Sequence, residues 1–290
     1  MKKSKVFALA GVSLLAATFL AACSGSKESK SASGEDKTYG YVYNDDPITL
    51  DYTVSSKASV HDITTNGVDG LLENDKYGNL VPSIAEDWSV SKDGLTYTYK
   101  IRKGVKWYDA DGEEHGEVTA HDFVTGLKHA ADKKSETLPL VQGSVKGLKD
   151  YVDGKITDFS QVGVKAVDDY TLEYTLNQPE TFWNSKTTNG VLMPINGEFL
   201  ESKGDDFGQP GDVKSILYNG PFLLKSITSK SEITFEKNED YWDKDNVHIN
   251  KIKFSYFDGS DQDSLARAFS DGSYSQARLF PASSNFASVE

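Results

Sequence analysis

The chain has 290 residues, of which 38% are hydrophobic and 26% charged, and this composition is typical of a globular protein of about two domains. Its formal net charge of −13 is opposite to the basic surface that nucleic-acid binding requires, so we expect no nucleic-acid partner. Cys23 is the single cysteine, which excludes an intrachain disulfide or a thiolate metal cluster within these residues.

The N-terminus has the three-part pattern of a secretory signal peptide. Lysines occupy three of the first five positions, residues 6–20 are uncharged and mostly apolar, and small residues precede Cys23. The apolar run is shorter than the roughly 20 residues of a transmembrane helix. The pattern therefore predicts a signal peptide over residues 1–22, with an uncleaved signal anchor as the alternative.

The sequence Leu20-Ala-Ala-Cys23 resembles the bacterial lipobox. The resemblance implies cleavage before Cys23, a diacylglyceryl group on its thiol, and membrane attachment through acyl chains, which contribute about 0.8 kcal/mol for each buried methylene. The following segment is rich in serine, lysine and glycine, so residues 23–37 are expected to form a lipidated cysteine and a flexible tether.

Alternating apolar and polar residues predict strands in the body of the chain. These strands cover residues 39–43, 95–101, 172–176, 233–235 and 252–256. The polar residues 91–94, which end in a glycine, predict a turn before the second of them.

Three segments show helical signals. Apolar residues from Val60 to Leu72 recur on one helical face, which predicts a helix over this segment. Thr119 is a candidate N-cap with Asp122 in the first turn, followed by an apolar stripe up to Ala131. Residues 261–269 predict a short helix with an acidic cap. Because helices and strands alternate without a strict βαβ rhythm, we expect a mixed α/β fold.

Sequence signatures of catalysis are lacking. The chain has no phosphate-binding loop, no dinucleotide fingerprint and no G-x-S-x-G motif. The histidines do not show zinc-protease spacing, and we expect His121 and His129 to be ordinary surface residues. The acidic runs 109–114 and 258–263 lack the glycine position of a calcium-binding loop, which favours turns. We therefore expect no enzyme activity, no cofactor and no metal.

Seven segments in order resemble one family, the extracellular solute-binding proteins of peptide and dipeptide ABC importers (family 5). They are Thr49-Leu-Asp51, Val68-Asp-Gly-Leu-Leu72, residues 78–88, 93–107 and 118–124, Tyr218-Asn-Gly-Pro-Phe222, and Lys237-Asn-Glu-Asp-Tyr241-Trp242. In detail they are similar to the Gram-positive oligopeptide-binding lipoproteins of the Ali/Ami type. Trp88 and Trp107 are interpreted as core residues and residues 219–221 as a turn where chain segments cross.

The resemblance implies a two-lobed fold of the periplasmic-binding-protein type (type II, peptide-binding), of which this chain supplies the first lobe. Residues 38–68 and 194–280 would form a sheet subdomain and residues 69–193 an inserted subdomain. Residues 281–290 would begin the crossover to the second lobe. Because family members are longer, the second lobe is expected to be absent and the chain to be truncated at its C-terminus.

The resemblance also implies a function. The protein would be a monomer, anchored by lipid on the extracellular face of a Gram-positive membrane. It would capture oligopeptides as extended strands through main-chain hydrogen bonds and deliver them to an ABC permease driven by separate ATPase subunits. An alignment without gaps assigns the peptide-backbone contact to Ser56, Lys57 and Ala58, for which a solvated loop is the alternative.

Other functions stay open at this point. A related binder could take a dipeptide, a peptide pheromone or a nickel complex, because the fold does not settle the ligand. A truncated chain could also be an inactive gene fragment. A peptidase is disfavoured, since no nucleophile or metal motif is present.

Overall fold

The computed structural model describes residues 37–276. The predicted signal peptide, Cys23, nearly all of the predicted tether and the predicted crossover at 281–290 lie outside the described residues. Within the described range, none of the helices is long and apolar enough to cross a membrane.

Twelve strands and six helices, joined by short 3₁₀ turns, make up the described chain. The strands are β1 (Thr38–Tyr43), β2 (Leu72–Asn74), β3 (Leu80–Pro82), β4 (Ala85–Val90), β5 (Thr96–Ile101), β6 (Lys106–Tyr108), β7 (Glu114–Glu117), β8 (Val164–Asp168), β9 (Thr171–Thr175), β10 (Phe222–Thr228), β11 (Glu232–Lys237) and β12 (Lys251–Tyr256). The helices are α1 (Ala58–Thr64), α2 (Ala120–Asp132), α3 (Leu148–Val152), α4 (Trp183–Lys186), α5 (Gly197–Lys203) and α6 (Gln262–Ser270).

Two four-stranded sheets organise these elements, and both ends of the described chain contribute to the first. Sheet A has the order β1-β12-β11-β10, in which β1 runs parallel to β12 and the other pairs are antiparallel. Sheet B has the order β4-β5-β9-β8 and is antiparallel throughout. Two-stranded ribbons, β2-β3 and β6-β7, complete the strands. The fold is thus mixed α/β, as predicted.

Each sheet supports its own hydrophobic cluster. The cluster on sheet B includes Tyr99, Tyr174, Trp183 and α2 residues such as Phe123. The cluster on sheet A draws on residues from both ends of the described chain, including Leu50 and Phe235. All five predicted strands are confirmed. In β5, β9 and β11 the alternating apolar residues are buried, so that one face of the strand is turned toward the protein interior.

The helix predicted from Val60 to Leu72 is too long. Helix α1 ends at Thr64, and β2 begins at Leu72. Tertiary packing overrides the helical periodicity here, since Gly67 lies against the ring of Tyr218 so closely that a Cβ would be only 2.7 Å from a ring carbon. The apolar residues after Thr64 are buried in two different clusters, Val68 in the cluster on sheet A and Leu71 and Leu72 in the cluster on sheet B, and not along one helical face.

The crossing at residues 219–221 is confirmed. The side-chain oxygen of Asn219 accepts a hydrogen bond from the amide of Asp69 at 2.7 Å, and the amide of Gly220 donates to the carbonyl of Gly67 at 2.9 Å. The Asn219 side chain therefore accepts the hydrogen bond that the Asp69 amide would donate to a backbone carbonyl if the helix continued. The tryptophan interpretation is confirmed for Trp107, which is fully buried, while Trp88 is half-buried against the same cluster.

Helix α2 begins at a capping box, as the Thr119 and Asp122 pattern indicates. The Asp122 carboxylate accepts hydrogen bonds from the Thr119 amide at 2.9 Å and from the Trp107 indole at 3.1 Å. Burial raises the pKa of Asp122 to about 6, although these two hydrogen bonds oppose the rise. The cap fixes where α2 starts and, as a result, where its C-terminal end meets the rest of the protein.

Close backbone packing on α2 gives a first prediction. A Cβ at Gly126 would overlap the carbonyl oxygen of Met193. Glycine to alanine inside a helix normally stabilises by about 1 kcal/mol. We expect Gly126→Ala instead to lower the free energy of unfolding by about 2 kcal/mol, because the clash is with backbone that must move.

Urea unfolding of the variant and the parent measures this effect. Gly197→Ala is the matched control, since its Cβ would lie 3.4 Å from Thr125 Oγ1, a permitted contact. Equal stability of the two alanine variants would show that α2 can move away from Met193 at little cost.

Asp69, next to the crossing, gives a pH prediction. Its carboxylate accepts a hydrogen bond from the Tyr241 hydroxyl at 2.7 Å. Burial raises the pKa of Asp69 to about 7, with a further rise from Glu73, and the Tyr241 bond opposes both. Because the folded-state pKa lies above the unfolded value, the protonated acid stabilises the fold at low pH, and this contribution is lost as pH rises from about 4 to about 7.

We expect Asp69→Asn to match the parent near pH 4 and to exceed it near pH 8 by on the order of 2 kcal/mol in the free energy of unfolding. The amide is neutral at every pH and still accepts from Tyr241. Urea unfolding at both pH values measures the difference, with Asp87→Asn on the exposed face of β4 as control. A difference that does not change with pH would contradict the prediction.

Candidate functional site

The predicted contact segment, Ser56 to Ala58, lies exposed on the surface and ends at the first residue of α1. Lys57 is the N-cap residue of this helix and has extended backbone angles, φ −76° and ψ 130°. In an extended residue, its own N–H and C=O face one edge of the chain, while the preceding C=O and the following N–H face the other. The two edges of Lys57 are used differently.

The protein itself occupies the inner edge. The Lys57 amide donates to Ser55 Oγ at 3.1 Å, and the Lys57 carbonyl accepts from the amides of Val60 at 3.0 Å and His61 at 3.3 Å. On the outer edge, neither the carbonyl of Ser56 nor the amide of Ala58 has a partner among residues 37–276. We call this outer edge the open edge. It presents one acceptor, the Ser56 carbonyl, and one donor, the Ala58 amide, at the spacing with which a single residue of an added parallel strand would pair.

Polar contacts hold the segment in place. Ser55 is buried, and its carbonyl accepts a hydrogen bond from His61 Nε2 at 2.8 Å. Both the amide and the hydroxyl of Ser56 donate to one carboxylate oxygen of Glu136, at 2.8 and 2.7 Å. The site is thus assembled from two stretches of chain that are 80 residues apart.

A cavity of about 330 Å³ adjoins the segment. It is lined by Tyr41, Val42, Tyr43, Asn44, Asp45, Ala58, Ser59, Asp62, Phe257 and Leu265. Ala58 belongs both to the open edge and to the cavity wall, whereas Ser56 and Lys57 do not line the cavity. A second cavity of about 620 Å³ shares Tyr41, Val42, Tyr43 and Asp62 with the first and continues along β1 over a mostly apolar surface.

Burial of His129 corrects the prediction that this histidine is an ordinary surface residue. Its ring is 8% exposed, and its Nε2 donates to Asp51 Oδ2 at 2.7 Å. The other oxygen of Asp51 accepts from the amide of Thr53 at 3.1 Å and from its hydroxyl at 2.7 Å. The pair therefore fixes the turn that leads into the open edge, and Phe207 covers the ring of His129 edge-on.

The remaining polar candidates are structural. Asp109 closes the turn between β6 and β7 by accepting from the amides of Asp111 and Glu113, both at 2.9 Å. Asp261 caps α6, as predicted, by accepting from the amide of Ser264. Between residues 37 and 276, no group of three or more histidine, cysteine or acidic side chains is placed to hold a metal ion.

Sequence reasoning missed Glu136 and His129. Glu136 follows α2 in a stretch without any motif, and its partner Ser56 is remote in sequence, so no local signal could identify it. His129 lies on a helix whose apolar stripe was recognised, but the stripe does not reveal that a second face of α2 is covered by the loop containing Asp51. Cys23 lies outside the described residues.

The buried pair gives a prediction with a control on the same helix. His129→Ala leaves the Asp51 carboxylate buried without its donor, so we expect the free energy of unfolding to fall by about 3 kcal/mol. His121→Ala removes a side chain that is 61% exposed and lies 3.3 Å from Asp169, a contact of small effect. Urea unfolding of both variants tests this, and equal losses would mean that the Asp51 contact contributes nothing specific.

Comparison with known proteins relates this chain to one family. The family model described as the middle part of bacterial extracellular solute-binding proteins, family 5, matches residues 79–288. The chain is 65% identical to the oligopeptide-binding protein AmiA of Streptococcus pneumoniae over 289 residues, which is 100% of this chain and 44% of the relative. It is 32% identical to the dipeptide-binding protein DppE of Bacillus subtilis over 249 residues, 86% of this chain and 44% of that protein.

Solved structures give the same result. The peptide-bound OppA of Listeria monocytogenes matches with a TM-score of 0.74 at 29% identity, over 83% of this chain and 46% of that one. The mixed α/β fold is therefore the fold of the matched part of such a binding protein. The chain spans about 44% of the length of the curated relatives described above.

Proposed function

The chain belongs to the bacterial extracellular solute-binding proteins of family 5, and we propose that it takes part in binding oligopeptides for an ABC importer. In this proposal it is a binding protein and not an enzyme. Peptides would be captured outside the cell and passed to a membrane permease, whose separate ATPase subunits supply the energy.

The observation that carries the proposal is the open backbone edge at Lys57. One residue of an extended peptide would donate its N–H to the Ser56 carbonyl and accept from the Ala58 amide, which makes a parallel bridge. Because every peptide has these backbone groups, the contact does not depend on side chains. Side chains next to the bridge would enter the adjoining cavity, whose mixed polar and apolar wall does not restrict them to one type.

Oligopeptides are favoured over dipeptides by two observations. The relative named as an oligopeptide-binding protein is 65% identical, while the one named as a dipeptide-binding protein is 32% identical. The cavities of about 330 and 620 Å³ also continue along β1 beyond the bridge, which gives room for more than two residues.

The anchoring and partners are parts of the same proposal. A lipid on Cys23 would hold the protein, as a monomer, at the extracellular face of the membrane of a Gram-positive cell. The lipobox-like sequence supports this, and so does the extracellular setting of the family. The subdomains proposed at 38–68 with 194–280 and at 69–193 are supported by the hydrophobic clusters of sheets A and B, most of whose residues divide at these bounds. Leu217 in the sheet B cluster and Tyr108, Ala110 and Met193 in the sheet A cluster lie on the other side of them.

Removal of one donor tests the binding mode. Ala58→Pro deletes the Ala58 N–H but suits the fold, since proline is favoured at the first position of a helix and Lys57 already has the extended angles that precede proline. We expect affinity for peptide to fall by about 2- to 10-fold, the effect of one net hydrogen bond, with no loss of thermal stability.

The measurement is isothermal titration of the 290-residue chain, purified in detergent and then unfolded and refolded to remove bound peptide, with a random hexapeptide library. Gln262→Pro is the control, because it makes the same change at the first residue of α6. Failure of the folded parent to bind would contradict the function, whereas equal binding by the parent and Ala58→Pro would contradict only the bridge.

A further inference from the structure

We propose that Glu136 is a positioning residue for peptide binding, which holds the open edge at Lys57 in its extended form before a peptide arrives. The inference rests on the proposed function. Glu136 would not touch the peptide to act, because it works through Ser56.

Hydrogen bonds from neighbouring residues hold Glu136 in a fixed position. Its backbone amide donates to the Val54 carbonyl at 2.9 Å, and the preceding Ser135 hydroxyl donates to the Thr53 carbonyl at 2.7 Å. The Ser135 amide in turn donates to the Ala130 carbonyl, near the end of α2, at 2.8 Å. The position of Glu136 is therefore set by α2, whose own start is fixed by its capping box.

From this position the Glu136 carboxylate takes both donors of Ser56. The two bonds, 2.8 Å from the amide and 2.7 Å from the hydroxyl, fix the backbone and the side chain of the same residue. Ser56 carries the carbonyl that the bridge needs, so the Glu136 carboxylate orders the acceptor side of the open edge. The donor side, Ala58, is fixed independently by its place in α1.

Charge supports the same role. The hydrogen bonds from Ser56 and the nearby ammonium group of Lys57 lower the pKa of Glu136, so the carboxylate is ionised at neutral pH and can accept both bonds. Charged acceptors make stronger hydrogen bonds than neutral ones. An exposed segment before a helix would otherwise sample several backbone conformations, and each would have to be given up on binding.

The variants Glu136→Ala and Glu136→Gln test the proposal by titration with the same hexapeptide library. We expect Glu136→Ala to bind about tenfold more weakly, since Ser56 must then be ordered by the peptide. Glu136→Gln keeps an acceptor oxygen, so its affinity should return to within about threefold of the parent. Glu86→Ala, which removes an exposed carboxylate paired with Lys100 on sheet B, is the matched control and should bind like the parent.

The effect of Glu136→Ala in two backgrounds distinguishes a positioning role from a general loss of stability. Because both changes act on one bridge, Glu136→Ala should weaken binding much less in an Ala58→Pro background than in the parent. A merely structural loss would be the same in both backgrounds. Thermal melting of each variant verifies folding, and Ser56→Ala, which removes one of the two bonds, should weaken binding by an intermediate factor if Glu136→Ala does not fold.

The outcomes are distinct from those of the proposed function. If the parent does not bind the library, the function itself fails and the inference fails with it. If the parent binds and Glu136→Ala binds equally well, or if its loss is the same in the Ala58→Pro background, the positioning role is wrong while the function stands.

Discussion

The parallel pairing of β1 with β12 is the constraint on which the site depends. Parallel neighbours cannot be joined by a tight turn, so the chain must leave sheet A after β1 and return much later. The chain that follows β1 includes the open edge and α1, and the chain that follows β12 includes Phe257 and Leu265. The register of this one strand pair, Tyr43 opposite Tyr256, therefore brings both walls of the cavity together.

Polar contacts then join the loop before α1 to the chain around the end of α2. Asp51 with His129, Thr53 with Ser135, and Ser56 with Glu136 form a row of hydrogen bonds between the two. The first two lie in the interior and are costly to break, because a buried group that loses its partner is not solvated. The third lies at the surface, where its contribution to stability is small and its effect on the conformation of Ser56 is the larger one.

The sequence predicted the regular parts of this structure well and the site only in part. Strands such as β5 and β9 were predictable because each alternates between one buried and one exposed face, and α2 because its capping box is local. The helix over Val60 to Leu72 was overextended, since close packing of Gly67 against Tyr218 cannot be seen in a periodic pattern. The contact segment at Ser56 to Ala58 was predicted only from the resemblance to the family. Its hydrogen-bond partner Glu136 has no local sequence signal at all.

The free energy that the bridge can supply limits how tightly the described surface could bind a peptide by itself. Two net hydrogen bonds contribute about 1–3 kcal/mol, whereas micromolar affinity requires about 8 kcal/mol. Burial of one apolar side chain adds about 1.5–3 kcal/mol, so each cavity beside the bridge closes only part of the gap. In the proposed complex, main-chain pairing would therefore select an extended peptide backbone and set its register. Affinity would have to come from side-chain burial along β1 and from any further surface that encloses the peptide. Each residue that must be ordered on binding would offset most of the free energy that the bridge contributes. When the bridge supplies so little, the proposed ordering of Ser56 by Glu136 before binding has its largest effect on affinity.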